Sequence, residues 1–255
     1  MPLTLDSLLN HLDEDLTWRK REITKLLFLH NEDNSLIVIK SSILLLYSHW
    51  EGYIKNSCKQ YLIYISDKNI KVSNLTKNFE AIALKGMVNE VYSSKDTLTL
   101  LNEIKLLEKI EIGTHKKFNV PQDIIEEKNK DFINTKDNLS LKVFNSFLNI
   151  VGIGTIPIIP TRDKYIDEEL LNQRNAISHG SKVDPNSIEF NLELTDIMVL
   201  KDFIFLLMDH VKDELLTYSE NEYYLKVNSE LTTQRQLART EHLTNKMKQL
   251  FGIED

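Results

Sequence analysis

Cysteine is nearly absent from this sequence, with Cys58 alone among 255 residues. No intramolecular disulfide can form, which fits the reducing cytoplasm expected as its location. Glycine and proline are scarce too, at 7 and 5. Folds of many short strands need both at their turns, so the shortage predicts long helices. Positive charge is outnumbered, with 31 Lys and Arg against 38 Asp and Glu and a net charge of −7. This excludes a general basic coat for nucleic acid, and any polyanion would have to meet cations gathered locally. Long apolar runs are missing as well. The most apolar stretch, residues 35–64, is interrupted by Lys40, His49, Glu51 and Lys55, which marks a buried helix and no membrane span. Residues 1–16 are acidic and lack the basic start and apolar run of a signal peptide.

Several chemical signatures are also lacking. Neither His-Glu-x-x-His nor a Cys/His pairing occurs, so no metal and no other cofactor is expected. His11, Asp13, Glu14 and Asp15 cluster at a helix start, where acids suit the helix dipole anyway. Gly152 and Gly154 are no phosphate cradle, because Pro157 and Pro160 stand where a third glycine and a helix start belong. Cys58, on an apolar helix, reads as packing rather than as a nucleophile.

What remains is a globular composition, 42% hydrophobic and 27% charged, with length enough for a large core. Helical spacing of Leu5, Leu8, Leu9, Leu12, Leu16, Ile23, Leu26 and Leu27 predicts a first helix over 5–29, capped by Thr4. Near its centre Arg19, Lys20 and Arg21 form a cationic run, open to two readings: a solvated face or a phosphate-facing patch. A second long helix follows over 35–66, with Ile43, Leu44, Tyr47, Trp50 and Ile54 on one apolar face and His49 and Glu51 flanking it. Further helices are expected over 75–92, 96–110, 138–151, 196–218 and 230–251. Residues 111–134 are the least decided stretch, with IEIGTHKKFNVP, residues 110–121, open between a short strand and an exposed loop that Pro121 ends, and 187–194 alternate like a brief extended segment. The fold class is all-α.

The most chemical stretch is YIDEELLNQRNAISHGSKVD, residues 165–184. Apolar Ile166, Leu170 and Leu171 begin a helix that then presents Arg174, Asn175, Ser178 and His179 just before Gly180. On an α-helix Asn175 shares a face with His179 and Arg174 with Ser178, while Arg174 and His179 lie about 140° apart. One ligand could touch all four if the arginine bends round, or if a second copy of the helix faces the first. Arg235 and His242 repeat a similar spacing without the Asn or the Gly, and are read as a decoy.

Arg174-Asn175 followed by three residues and His179 resembles the Arg-x(4–6)-His signature of HEPN domains (higher eukaryotes and prokaryotes nucleotide-binding). The segment LLYSHWEG, residues 45–52, resembles the early helix of a defence-associated HEPN branch, as does the order of Asn138-Leu139, an apolar helix, a Val-Gly-Ile turn and the motif helix. The resemblance spans residues 6–218 and leaves 219–255 as a C-terminal helical extension. It implies a HEPN-like helical bundle, and for many members a metal-independent ribonuclease of a toxin or anti-phage system, paired as a homodimer around a composite site and checked by an antitoxin or another defence partner. Carried over to this chain, Arg174, His179, Asn175 and Glu51 would be catalytic, and Ser178 and Lys182 would bind RNA, joined on the phosphate-facing reading of their charge by Arg19, Lys20 and Arg21.

The residue chemistry allows this. Strand cleavage by an RNA 2′-hydroxyl needs a proton acceptor, a proton donor for the leaving oxygen and positive charge on the phosphate. Imidazole moves protons and guanidinium holds phosphate bidentately. Glu51 could orient Arg174 or His179 by a charge-assisted hydrogen bond. The competing readings are a catalytically silent module that binds RNA or nucleotide, and a helical adaptor that acts through its extension.

Overall fold

In the computed structural model, which describes residues 2–93, 100–135, 138–157, 165–179 and 192–253, the shortage of turn residues is realised as helix. Among the described residues there are eight α-helices: α1 (Leu5–Leu27), α2 (Ser35–Asp67), α3 (Lys77–Ser93), α4 (Leu101–His115), α5 (Leu141–Val151), α6 (Gln173–Ser178), α7 (Leu194–Glu220) and α8 (Ser229–Phe251). Only two isolated antiparallel bridges occur there, Lys71 with Lys117 and Leu75 with Leu225, and no strand.

The 33-residue α2 is the axis of the bundle, packed against α1 and α7 and also against α5 and α6. That placement explains why it is apolar nearly all round: Ile43, Trp50, Tyr53, Ile54, Cys58, Tyr61 and Leu62 are all fully buried. Trp50 meets Phe144 of α5 with ring centroids 4.6 Å apart. Each such side chain contributes about 1.5–3 kcal/mol by leaving water, so truncating Trp50 would breach the centre of the core.

The helix ends follow local rules. Thr4 caps α1 by accepting from the Ser7 N–H at 3.1 Å. Asn31 and Asn34 bond reciprocally around a 3₁₀ turn, Glu32–Asn34, that leads into α2. Ser140 caps α5 at its start, and Gly152, in the left-handed region at φ 83°, closes it.

Residues 110–121, open in sequence between a short strand and an exposed loop, divide between the end of a helix and a loop that is largely exposed but anchored by buried side chains. Helix α4 runs on to His115, and the chain then docks inward, burying Phe118, Val120 and Ile124. The Phe118 N–H donates to Ile70 O at 2.8 Å, and a 3₁₀ turn, Gln122–Ile125, lies against α2. The helical fold consumed an apolar pattern too short to declare its period. The helix expected over 96–110 begins at Leu101, residues 94–99 lying outside the described set, and the alternating segment at 187–191 lies outside it too.

In the extension, α8 lies on α7 with Arg239, Leu243 and Met247 buried. Arg239 donates through Nη1 to Ile153 O and through Nη2 to Thr155 O at 2.8 Å. It thereby grips the turn that leaves α5 and runs toward the motif helix.

Candidate active site

The motif helix departs from a plain α-helix. Ile166–Asn172 winds as a π-helix and only Gln173–Ser178 is α. Closure from i to i+5 brings Ile166 and Leu171, five apart, to one side, and Ile166, Leu170 and Leu171 are all buried. The face relations read from α spacing hold from Gln173 onward. His179 ends the helix, its N–H donating to Asn175 O at 3.0 Å. Asp167 reaches across to accept the Leu141 N–H at 3.0 Å, which ties the motif helix to the start of α5.

Arg174 is half-buried and points over α2. Its Cζ lies 4.5 Å from the centroid of the Tyr47 ring, and Nη1 donates to Asn175 Oδ1 at 2.7 Å. Tyr47 is fixed in turn, its hydroxyl oxygen accepting the buried Leu139 N–H at 3.0 Å. Burial pushes the Tyr47 hydroxyl up to about 12, with the Glu51 carboxylate adding to the rise and the Leu139 N–H and Arg174 opposing it. The phenol therefore stays protonated, able to donate to Glu51 while its ring faces the guanidinium. Glu51 accepts from the Thr135 hydroxyl and lies 3.7 Å from Lys55 Nζ. The carboxylate thus reaches Arg174 through the tyrosine rather than by a direct pair.

Ser178 and His179 are exposed. The Ser178 hydroxyl donates to Asn175 O at 3.1 Å. The His179 ring has no hydrogen bond or ion pair among the described residues, and Gly180 and Lys182 lie outside them.

The cations of α1 go elsewhere. Arg19 Nε pairs with Asp15 at 2.7 Å, and Nη1 reaches His49 Nδ1 at 3.3 Å. Lys20 pairs with Asp209 of α7 at 2.5 Å, and Arg21 is exposed. His49 Nε2 stands 2.8 Å from Glu22 Oε2, off the line of a hydrogen bond. Burial and then Arg19 lower the His49 pKa, with Glu22 and Asp15 opposing them. A Cβ on Gly52 would come within 2.6 Å of Arg19 Nη1, so this glycine makes room for the arginine. The LLYSHWEG segment therefore serves two faces of α2: Tyr47 and Glu51 turn to the motif helix, His49 and Gly52 to α1.

Of the proposed catalytic set, the structure brings Arg174, Asn175 and, through Tyr47, Glu51 together, with His179 at the rim. Arg19 and Lys20 are committed to acids on α1 and α7. Tyr47 escaped the sequence reading because it passed for core; its signal was the i,i+4 spacing to Glu51.

The remaining thiol and acids singled out in the sequence are engaged in packing and ion pairs. Cys58 is fully buried and burial pushes its thiol up to about 12, which leaves it inert. The acids near His11 disperse, Asp13 to Lys212 and Asp15 to Arg19 and Asn56. Among the described residues no group of three or more His, Cys, Asp or Glu could hold a metal ion. The decoy Arg235 is taken up by two bonds to Glu214, at 2.7 and 2.8 Å.

A sequence profile of the MAE_28990-like HEPN family matches residues 8–224, nearly the whole bundle and all of the site just described. The chain is a HEPN protein. No curated protein and no solved structure matches it. The HEPN match runs from within α1 through α7 and stops just before α8. No helix of this HEPN protein is long and apolar enough, among the described residues, to cross a membrane.

Proposed function

We propose that this HEPN protein is a metal-independent RNA endonuclease of a toxin or anti-phage defence system, with its active site in the cleft between the motif helices of two copies. Arg174 holds the scissile phosphate. His179 takes the proton from the 2′-hydroxyl as that oxygen attacks phosphorus, and the bond from phosphorus to the 5′-oxygen breaks as that oxygen accepts a proton. The products are a 2′,3′-cyclic phosphate and a free 5′-hydroxyl. One imidazole cannot be acceptor and donor in the same step, so two-fold symmetry, which supplies a second His179, completes the chemistry. Asn175 and Ser178 orient the phosphate, and an antitoxin or another defence protein restrains the enzyme.

The observation that carries this reading is the contrast between the two motif side chains. Arg174 is held by Tyr47 and Asn175, while His179 stands exposed at the helix end. Preorganised charge beside an accessible proton carrier is what phosphodiester transfer requires.

The test is RNA cleavage by purified protein in EDTA. His179→Ala should lower the rate by about 10²–10⁴-fold, as loss of a general acid–base does, with no change in melting temperature. Full activity in that variant ends the proposal. Binding of RNA by the wild type without cleavage would favour the silent module instead.

A further inference from the structure

Helix α8 lies beyond the residues that the HEPN profile matches, yet it touches both flanks of the stretch between α5 and the motif helix. One contact is Arg239, whose guanidinium donates to the carbonyls of Ile153, Gly154 and Thr155 on the turn after α5. The turn is shaped to meet it. Gly154 sits in the left-handed region at φ 76°, and a Cβ there would come within 3.2 Å of Gln236 Nε2 and 3.3 Å of Arg239 Nη1.

The other contact is Phe251, the last residue of α8. Its ring centroid stands 5.0 Å from that of Tyr165, from which the motif helix starts, and 5.1 Å from that of Phe203 on α7. Tyr165 and Phe203 close the triangle at 5.6 Å, and both Tyr165 contacts are edge-on, at 75° and 78°. Edge-to-face packing fixes the tilt of a ring as well as its depth. The next residue, Ile166, is buried in the core and opens the π winding that sets the face on which Arg174 emerges. A shift at Tyr165 therefore reaches the motif directly.

Arg239 and Phe251 are about 18 Å apart along the axis of α8. Between them Leu243 and Met247 are buried and seat the helix on the bundle. The Ile253 N–H donates to Lys248 O at 3.0 Å and closes the turn that carries Phe251. A helix anchored at both points fixes the distance from the turn after α5 to the first residue of the motif helix.

We infer that α8 is a clasp and Phe251 a positioning residue: with Arg239 at one end and Phe251 at the other, α8 sets where the motif helix presents Arg174. This rests on the proposed function for its effect on cleavage, and on the ring contacts alone for its hold on the helix.

The test uses the full chain as wild type and Phe251→Ala, with Phe251→Tyr as the variant that keeps the ring. Amide hydrogen exchange is read first, without RNA. Phe251→Ala should speed exchange in residues 166–179 and leave residues 53–65, in the centre of α2, as protected as before. Phe251→Tyr should restore the wild-type rates. Tyr165→Ala should loosen the same residues, and adding Phe251→Ala to it should loosen them no further, because the two rings share one contact. Cleavage is read second. Phe251→Ala should lower kcat by about 10–10²-fold, the scale of a small misplacement of a catalytic group, and leave KM unchanged, with Phe251→Tyr again restoring the rate. Unchanged exchange in residues 166–179 overturns the clasp whatever happens to RNA. Faster exchange with kcat undiminished overturns Phe251 as a positioning residue. Faster exchange in Phe251→Ala when no protein cleaves RNA, wild type included, would uphold the clasp and sink the nuclease reading.

Discussion

The contact between Arg174 and Tyr47 separates two roles within one side chain. The ring positions the guanidinium, and the hydroxyl satisfies the buried Leu139 N–H. Tyr47→Phe keeps the ring and strands that N–H, so it should cost about 1–3 kcal/mol of stability and leave most of the cleavage rate. Tyr47→Leu loses the cation–π seat as well, and should lower kcat further because Arg174 is no longer held over α2. Urea unfolding and single-turnover cleavage of both variants separate the effects. Equal rates for the two would mean that the ring does not position Arg174. At this scale the sequence was informative about identity and silent about partnership. It singled out Arg174, Asn175, His179 and Glu51, yet suggested that Glu51 would bond the motif directly. Tyr47 intervenes, since an aromatic on an apolar face looks the same in sequence whether it packs on core or on a cation.

Among the elements, α8 has the least expected anchorage. Its pattern reads as mostly solvated, but Arg239 is 8% exposed and bonds Ile153 O, Gly154 O and Thr155 O on the turn after α5. Arg239→Met should leave those carbonyls without their donor and cost about 2–4 kcal/mol, measured by urea unfolding. If the turn after α5 helps to place the motif helix, cleavage should fall along with stability. An arginine in a polar helix carries no mark of burial; only the docking of α8 on α7 makes Arg239 a clamp. The π winding of Ile166–Asn172 is likewise invisible in sequence, because it depends on which side of the helix the bundle needs filled.

For the whole molecule, acid should loosen the seam between α7 and α8. His210 lies within it, its Nε2 buried without a hydrogen-bond partner among the described residues. Burial, then Arg239, Arg235, Lys246 and His242, lower its pKa to about 3. The unfolded chain binds this proton near pH ~6.5 and the folded chain only near 3, so between those values the unfolded state holds more protons. Stability is therefore full above the unfolded value and falls with pH by up to about 1.4 kcal/mol per unit from this one group. Asp213, whose carboxyl burial raises, binds its proton more tightly when folded and offsets part of the loss around pH ~4. His210→Leu should flatten the decline between about pH 6.5 and 4.5 in urea titrations, and an unaltered slope would show that another group governs it.

By itself the sequence determined that this protein is helical, where most of its helices run, and which helix end carries an arginine and an imidazole. Those properties live in periodicity, capping residues and motif spacing, all local along the chain. Tertiary structure decided which charged groups meet. Arg19 and Lys20 look available in sequence but are neutralised by Asp15 and Asp209, the latter 189 residues from Lys20. Lys55 and Lys59 look like interruptions of an apolar helix, but they gather with Lys130 in one pocket. Charge pairing depends on distance in space, and only the packing of α2 against its neighbours sets those distances.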